Sequence, residues 1–234
     1  IKINFAIHLL IIFLFTTVIY LNGDNVDSPM YHLQIIKWLN NEKIVFGLSN
    51  LEIRFGSNSL WFGILSLLQI ELNSFNSIYT FNLIPFSILI YQIFNYEKKV
   101  SCIFINLSIL FILIFSFLHP YSNGIILNHL HNTEIDTVAM VFFILSFYLF
   151  LKFFEERKIE NLYLLIICSV ICMVTRLSYI AVSIFPLYAI CVYYKNTAFS
   201  ITNKITLVVI SLILLWFIKN LIISGCLIFP VAFT

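Results

Sequence analysis

The sequence has little charge. Asp, Glu, Lys and Arg make up only 10% of it, against 61% hydrophobic residues and a mean hydropathy of +1.01. A soluble domain carries roughly a quarter charged residues, so a soluble globular protein is excluded. Alternation of apolar and polar residues is also missing. The apolar residues come in continuous blocks of about 15 to 20, which excludes barrel strands. Backbone polar groups in lipid must be satisfied within the protein, so such blocks are expected to be helices. None of the five cysteines, Cys102, Cys168, Cys172, Cys191 and Cys226, forms a CxxC pair. Cys168 and Cys172 share a helical face, but without further Cys or His beside them they read as small apolar residues. The net charge of +2 says nothing about nucleic acid, and no nucleic-acid partner is expected of a chain this apolar. The Ile1–Leu21 block has no small-residue cleavage site and reads as a span rather than a signal peptide. The chain opens on Ile1 without Met, and an N-terminal fragment of a longer protein is expected.

What is present is a series of spans, predicting an all-α, polytopic transmembrane helical bundle in the lipid bilayer. The first runs from Ile3 to Leu21, and a large loop over residues 22–74 follows. Within the loop, Ser28 can cap a helix through Asn40, with Met30, Leu33, Ile35, Ile36 and Leu39 at helical spacing. Gln34 and Lys37 fall on the opposite face, a pattern that suits a helix lying in the membrane interface, with Tyr31 and Trp38 in the aromatic belt. Ser59–Ile70 is too short to cross and reads as a second interfacial or re-entrant helix. Further spans are expected at Phe75–Tyr96, kinked at Pro85, at Val100–Leu118 and at Ile135–Phe154. A charged hairpin, Glu155-Glu156-Arg157-Lys158, leads to Leu162–Val174 and Leu177–Tyr194, which meet at Thr175-Arg176. The last visible span begins at Ile205–Phe217 and closes near a Ser224-Gly225 turn.

The positive-inside rule orients these segments. With the N-terminus in the cytoplasm, Lys2, Lys98, Lys99, Lys152, Arg157, Lys158, Lys195 and Lys204 fall inside, the majority of the thirteen basic residues. Most acids fall outside, and about seven spans with the long loop on the outer face satisfy the charge pattern best.

That topology collects Asp27, Tyr31, His32, Arg54, Asn58, Asp136, Arg176 and Lys219 on the outer surface. Ionisable groups near membrane depth are costly, and a functional role is their default reading. Asp27 and Asp136 stand near the outer ends of separate spans and could act as a general base or hold a cation. Arg54, Arg176 and Lys219 could grip a phosphate, Arg bidentately and Lys as a point charge. The bland alternatives are solvated loop charges, an acid at a helix start for Asp27, and a snorkelling amine for Lys219. His119, His129 and His131 are a weak metal signal, since loop histidines are more often unligated.

A first span followed by a large outer loop that opens with an Asp and carries interfacial helices resembles the GT-C superfamily of membrane glycosyltransferases. More narrowly, DSPMYHLQIIKWLN, GLSNLEIRFGSNSLWF and KNLIISGCLIFP look like a family of bacterial polytopic membrane proteins regarded as glycosyltransferase-like. The resemblance implies sugar transfer from a polyprenyl-phosphate donor to a lipid or glycan acceptor at the outer face of the bacterial inner membrane. It places Asp27 at the active site, with Asp136 (or Glu134) as a second acid from a later outer loop. Tyr31, His32, Arg54, Asn58, Arg176 and Lys219 would bind substrate, Trp38 and Trp61 would stack on sugar or anchor at the interface, and a divalent metal ion would be compatible but not required. The competing classes are a lipid-linked polysaccharide polymerase or ligase, which needs Arg-rich outer loops, and a transporter or flippase, which needs inverted repeats and mid-span charges. A scaffold subunit without chemistry is the third.

Overall fold

The computed structural model describes residues 28–42, 44–68, 80–94, 135–194 and 204–229. Among them are seven α-helices and no strand. In chain order these are α1 (Leu33–Asn41), α2 (Leu60–Leu68), α3 (Leu83–Phe94), α4 (Ile135–Glu156), α5 (Ile159–Thr175), α6 (Ile184–Tyr194) and α7 (Lys204–Ser224). A π-turn at Ser28–His32 leads into α1, and short 3-10 turns precede α2, α3 and α6.

The antiparallel pair α4–α5 is the centre of the fold. Along α4, Val138, Val141, Leu145, Leu149 and Phe153 recur every three or four residues and are buried, as one inward stripe of a helix requires. Val141, Leu145, Leu149 and Phe153 meet Leu162, Leu165 and Cys168 of α5, with Leu89 from α3 and Ala189 from α6 closing the cluster. Two long-range hydrogen bonds fix the stack: the Tyr148 hydroxyl donates to the Gln92 carbonyl at 3.2 Å, and Cys172 Sγ donates to the Ala139 carbonyl at 3.2 Å. Phe153, Leu162 and Leu165 have no accessible surface, so truncating one to Ala is expected to cost about 2–5 kcal/mol.

Two helical stretches, Ile135–Glu156 and Thr206–Ser224, are long and apolar enough to cross a membrane. On α7 the outward residues Leu207, Val208, Leu214, Leu215 and Ile218 are exposed, an apolar surface that suits lipid better than water. The expected spans Ile3–Leu21 and Val100–Leu118 lie outside the described residues. The expected span Phe75–Tyr96 shows only twelve helical residues, Leu83–Phe94, after a 3-10 turn at Thr80–Asn82. Pro85 was expected to kink this span. It sits in the first turn, where its missing N–H would have no intrahelical partner anyway.

The two helices expected to lie on the interface pack on each other and on α4. Ile35 and Ile36 of α1 bury against Trp61, Phe62 and Leu65 of α2 and against Ile135 and Val138. Gln34 and Lys37 face outward, while Met30, expected on the apolar face, is 55% exposed. Trp61 is a core residue here, its Nε1 donating to Asn82 Oδ1 at 2.6 Å.

Candidate functional site

Because α4 and α5 are antiparallel, the first turn of one and the last of the other must share an end of the bundle. Asp136 lies in the first turn of α4, and Arg176 is the residue on which α5 stops, in extended conformation. Their side chains meet: Arg176 Nε lies 2.8 Å from Asp136 Oδ1, and it also reaches Ser178 Oγ at 3.3 Å. Both partners are nearly half exposed, so the pair itself contributes about 0–1 kcal/mol.

At this end a cavity of about 270 Å³ opens, close to the lower end of the roughly 300–1,000 Å³ typical of small-molecule sites. Its polar lining comes from three distant parts of the chain. Tyr31, Arg54, Ser57, Asn58 and Ser59 arrive from the segment before and after α1, Thr175 and Arg176 from the end of α5, and Trp216 and Asn220 from α7.

Each wall has a local cause. Glu52 caps the 3-10 turn Ile53–Gly56 by accepting from the Arg54 N–H, and its Oε1 also takes Arg54 Nε at 2.9 Å. The Arg54 side-chain hydrogen bond holds the Glu52 carboxyl below the usual glutamate range. The Arg54 guanidinium also stands 5.5 Å from the Tyr31 ring centroid, within cation–π range. Gly56 is required by close approach: a Cβ there would fall 2.6 Å from the ring of Phe229, which also lines the cavity. Asn58 and Trp216 are joined reciprocally, Asn58 Nδ2 donating to the Trp216 carbonyl at 3.0 Å and Trp216 Nε1 to the Asn58 carbonyl at 2.7 Å. Ser59 Oγ accepts from the Trp61 N–H and starts α2. Asn220 is held by donation to the Leu227 carbonyl at 3.1 Å, after α7 ends on left-handed Gly225.

Two buried oxygens at this cavity have no hydrogen-bond partner, Asn58 Oδ1 and Thr175 Oγ1. Thr175 is only 2% exposed. An unmet buried polar group costs roughly 1–3 kcal/mol, so a hydroxyl donor that reached either oxygen would be favoured. The guanidiniums of Arg54 and Arg176 favour an anion beside them. Each already pairs with an exposed carboxylate, and exchanging so weak a pair for a bidentate phosphate contact is inexpensive.

Of the residues singled out in the sequence, Tyr31, Arg54, Asn58 and Arg176 share this cavity, and Asp136 reaches it through Arg176. His32 and Lys219 are not among the lining residues. His32 is buried with its ring 5.1 Å from Phe62 and 4.2 Å from Tyr31, on the core side of the same turn. Lys219 is partly buried on α7, next to the lining Asn220. Asp27, Glu134 and the histidines 119, 129 and 131 lie outside the described residues. Among the described residues no three His, Cys, Asp or Glu side chains are grouped so as to hold a metal ion. Trp216, Thr175, Asn220 and Phe229 were not legible as site residues. Trp216 sits in an apolar helix where a tryptophan reads as lipid-facing, and only its contact with Asn58 reveals it.

The described residues thus define an all-helical protein with two helices apolar enough to cross a membrane and a cation-lined cavity at one end of its central hairpin. The chain belongs to the family described as a domain of unknown function, DUF8201, whose profile matches residues 1–234. No curated protein and no solved structure matches it.

Proposed function

We propose that the protein is a multi-pass membrane glycosyltransferase of the GT-C kind, transferring a sugar from a polyprenyl-phosphate donor to a lipid or glycan acceptor at the outer face of the bacterial inner membrane. The observation that carries this reading is the cavity that brings Arg54 and Arg176 beside the unmet oxygens of Asn58 and Thr175. A sugar phosphate offers what both halves need, an anion for the guanidiniums and hydroxyl donors for the oxygens. The multi-pass reading draws on α4 and α7. It also draws on the shorter apolar helices Ile159–Thr175 and Leu177–Val192 packed beside them.

In the proposed reaction the acceptor hydroxyl loses its proton to a base and its oxygen bonds to the anomeric carbon. The bond from that carbon to the phosphate oxygen breaks, and the phosphate leaves with the electron pair. Arg54 and Arg176 stabilise the charge that develops on the departing phosphate. Tyr31 and Trp216 offer ring faces to the sugar. Asp136 already accepts from Arg176, so its part is to aim that guanidinium. Asp27, immediately before the π-turn that delivers Tyr31, remains the candidate base.

The test is transfer from radiolabelled polyprenyl-phosphate sugars in membranes containing the full-length protein, with Arg54→Ala, Arg176→Ala and Asp27→Asn. Transfer by the parent that disappears in all three, with expression and membrane insertion unchanged, is the expected result. Undiminished transfer in the two arginine variants removes the cavity from the mechanism.

A further inference from the structure

The segment between α1 and α2 carries an apolar surface that nothing in the described fold covers. Phe46 is 82% exposed, Leu51 70%, Ile53 64% and Ile44 45%. Single exposed apolar residues are ordinary, but a cluster of large ones on one short segment marks an interaction surface. The segment is not a loose strand of chain. Gly47, with φ +64, gives its N–H to the Ile222 carbonyl at 2.9 Å, Leu48 is buried, and two 3-10 turns follow. It is therefore fastened, with its apolar side chains outward, to the last turns of α7.

That attachment says what covers it. The outward face of α7 is apolar from Leu207 through Leu221, and Leu227 beyond the helix end is 47% exposed. The segment continues this apolar surface at the end of a helix long enough to cross a bilayer. We infer that residues 44–53 dip into the headgroup–acyl boundary of the lipid bilayer beside α7, and so hold the cavity at the level of the lipid headgroups. Arg54, Gly56, Ser57 and Asn58 follow this anchor directly and form one wall of the cavity. A phosphate carried on a lipid would meet the guanidiniums without leaving the membrane surface. The inference rests on the reading of α7 as a membrane span, and the experiment separates the two.

The probe is tryptophan quenching in vesicles of phosphatidylcholine brominated at either a shallow or a deep acyl position. Phe46→Trp and Leu215→Trp are each read as the difference from the parent with its three tryptophans. Leu215, 61% exposed in the middle of α7, reports the span itself. The expected result is stronger quenching of Phe46→Trp by the shallow bromines and of Leu215→Trp by the deep ones. Quenching of Leu215→Trp alone overturns the anchor and leaves the span standing; acrylamide then tells whether water or a protein partner covers Phe46. Absence of quenching at Leu215→Trp overturns the span and the anchor together. A double variant, Phe46→Ser with Leu51→Ser, should fold as the parent does yet show a smaller vesicle-bound fraction of residues 44–53 by hydrogen exchange. Unchanged protection there also overturns the anchor.

Discussion

The two ends of the α4–α5 hairpin carry nearly the same chemistry and do different things with it. At one end Glu156 pairs with Lys158 at 3.3 Å, Asn161 donates to Glu156 at 3.2 Å, and the Arg157 guanidinium stands 4.8 Å from the Phe154 ring. At the other, Asp136 pairs with Arg176 at 2.8 Å. The first set is local: every partner lies within a few residues, and together they reverse the chain. The second pair is joined across two helix ends and opens onto walls supplied by α7 and by the segment around Arg54. A charged cluster is a turn when its partners are neighbours in sequence, and a candidate site when they are not.

The strongest way to break this comparison is to remove one cation from each end. Arg176→Ala should lower the proposed sugar transfer by about 100-fold or more, the loss seen when one preorganised donor to a developing charge is deleted. Lys158→Ala should leave transfer unchanged, since it touches only the turn. Equal effects of the two variants on transfer, at equal expression, would make the ends equivalent and the cavity incidental.

Packing at the cavity end should be the next most sensitive. Trp216→Phe keeps the ring but leaves the Asn58 carbonyl without its donor, at a cost of roughly 1–3 kcal/mol. The expected outcome is a lower unfolding midpoint in detergent together with a raised KM for the proposed donor. Trp61→Phe, which removes a bond to Asn82 in the core, should lower the midpoint comparably without moving KM. A KM that moves in both variants would mean general loosening rather than a local wall.

The way each end stops its helix gives a smaller, opposite pair of effects. Arg157 closes α4 with φ 54, and its N–H reaches the Phe153 carbonyl at 2.8 Å. Gly225 closes α7 in the same manner with φ 72 and a bond to the Leu221 carbonyl at 2.9 Å. A left-handed conformation costs a residue with a Cβ about 1–2 kcal/mol and glycine almost nothing. Arg157→Gly should therefore stabilise the protein by about 1 kcal/mol, and Gly225→Ala should destabilise it by a similar amount. Unfolding in detergent monitored by circular dichroism checks both signs.

The helical architecture was legible because it depends on composition and local period. The low charge and continuous apolar blocks gave helices, and the Glu155–Lys158 cluster fell on the turn between α4 and α5. The amphipathic pattern around Ile35 and Ile36 gave the inward face but not the helix it packs on. A hydrophobic stripe has the same spacing whether it meets lipid or, as here, Trp61 and Phe62. Part of the cavity was visible as well, since Arg54, Asn58 and Arg176 stand out in so apolar a chain. Trp216 and Thr175 were not, because an indole or a hydroxyl in an apolar helix becomes informative only once its partner 158 positions away, or the lack of one, is seen.

Glu52 sharpens the comparison on the finest scale, because it neutralises a cavity cation as Glu156 neutralises Lys158. Its carboxyl is held below the usual glutamate value of 4.5 by hydrogen bonding to Arg54. Whatever the pair adds to the fold is present above 4.5 and disappears as pH falls through the lower folded value. Below that window Arg54 regains its full charge toward the cavity. Sulfate is a suitable probe, since it stays doubly charged across the range. Its affinity for the parent should rise about two- to fivefold as Glu52 becomes protonated, the change expected from losing one exposed ion pair. Glu52→Gln should show the higher affinity already at neutral pH and lose that part of the pH dependence, while Glu156→Gln should leave sulfate binding as it is. A parent and a Glu52→Gln variant with the same affinity at neutral pH would mean that Arg54 does not face the anion, and would leave Arg176 to hold it alone.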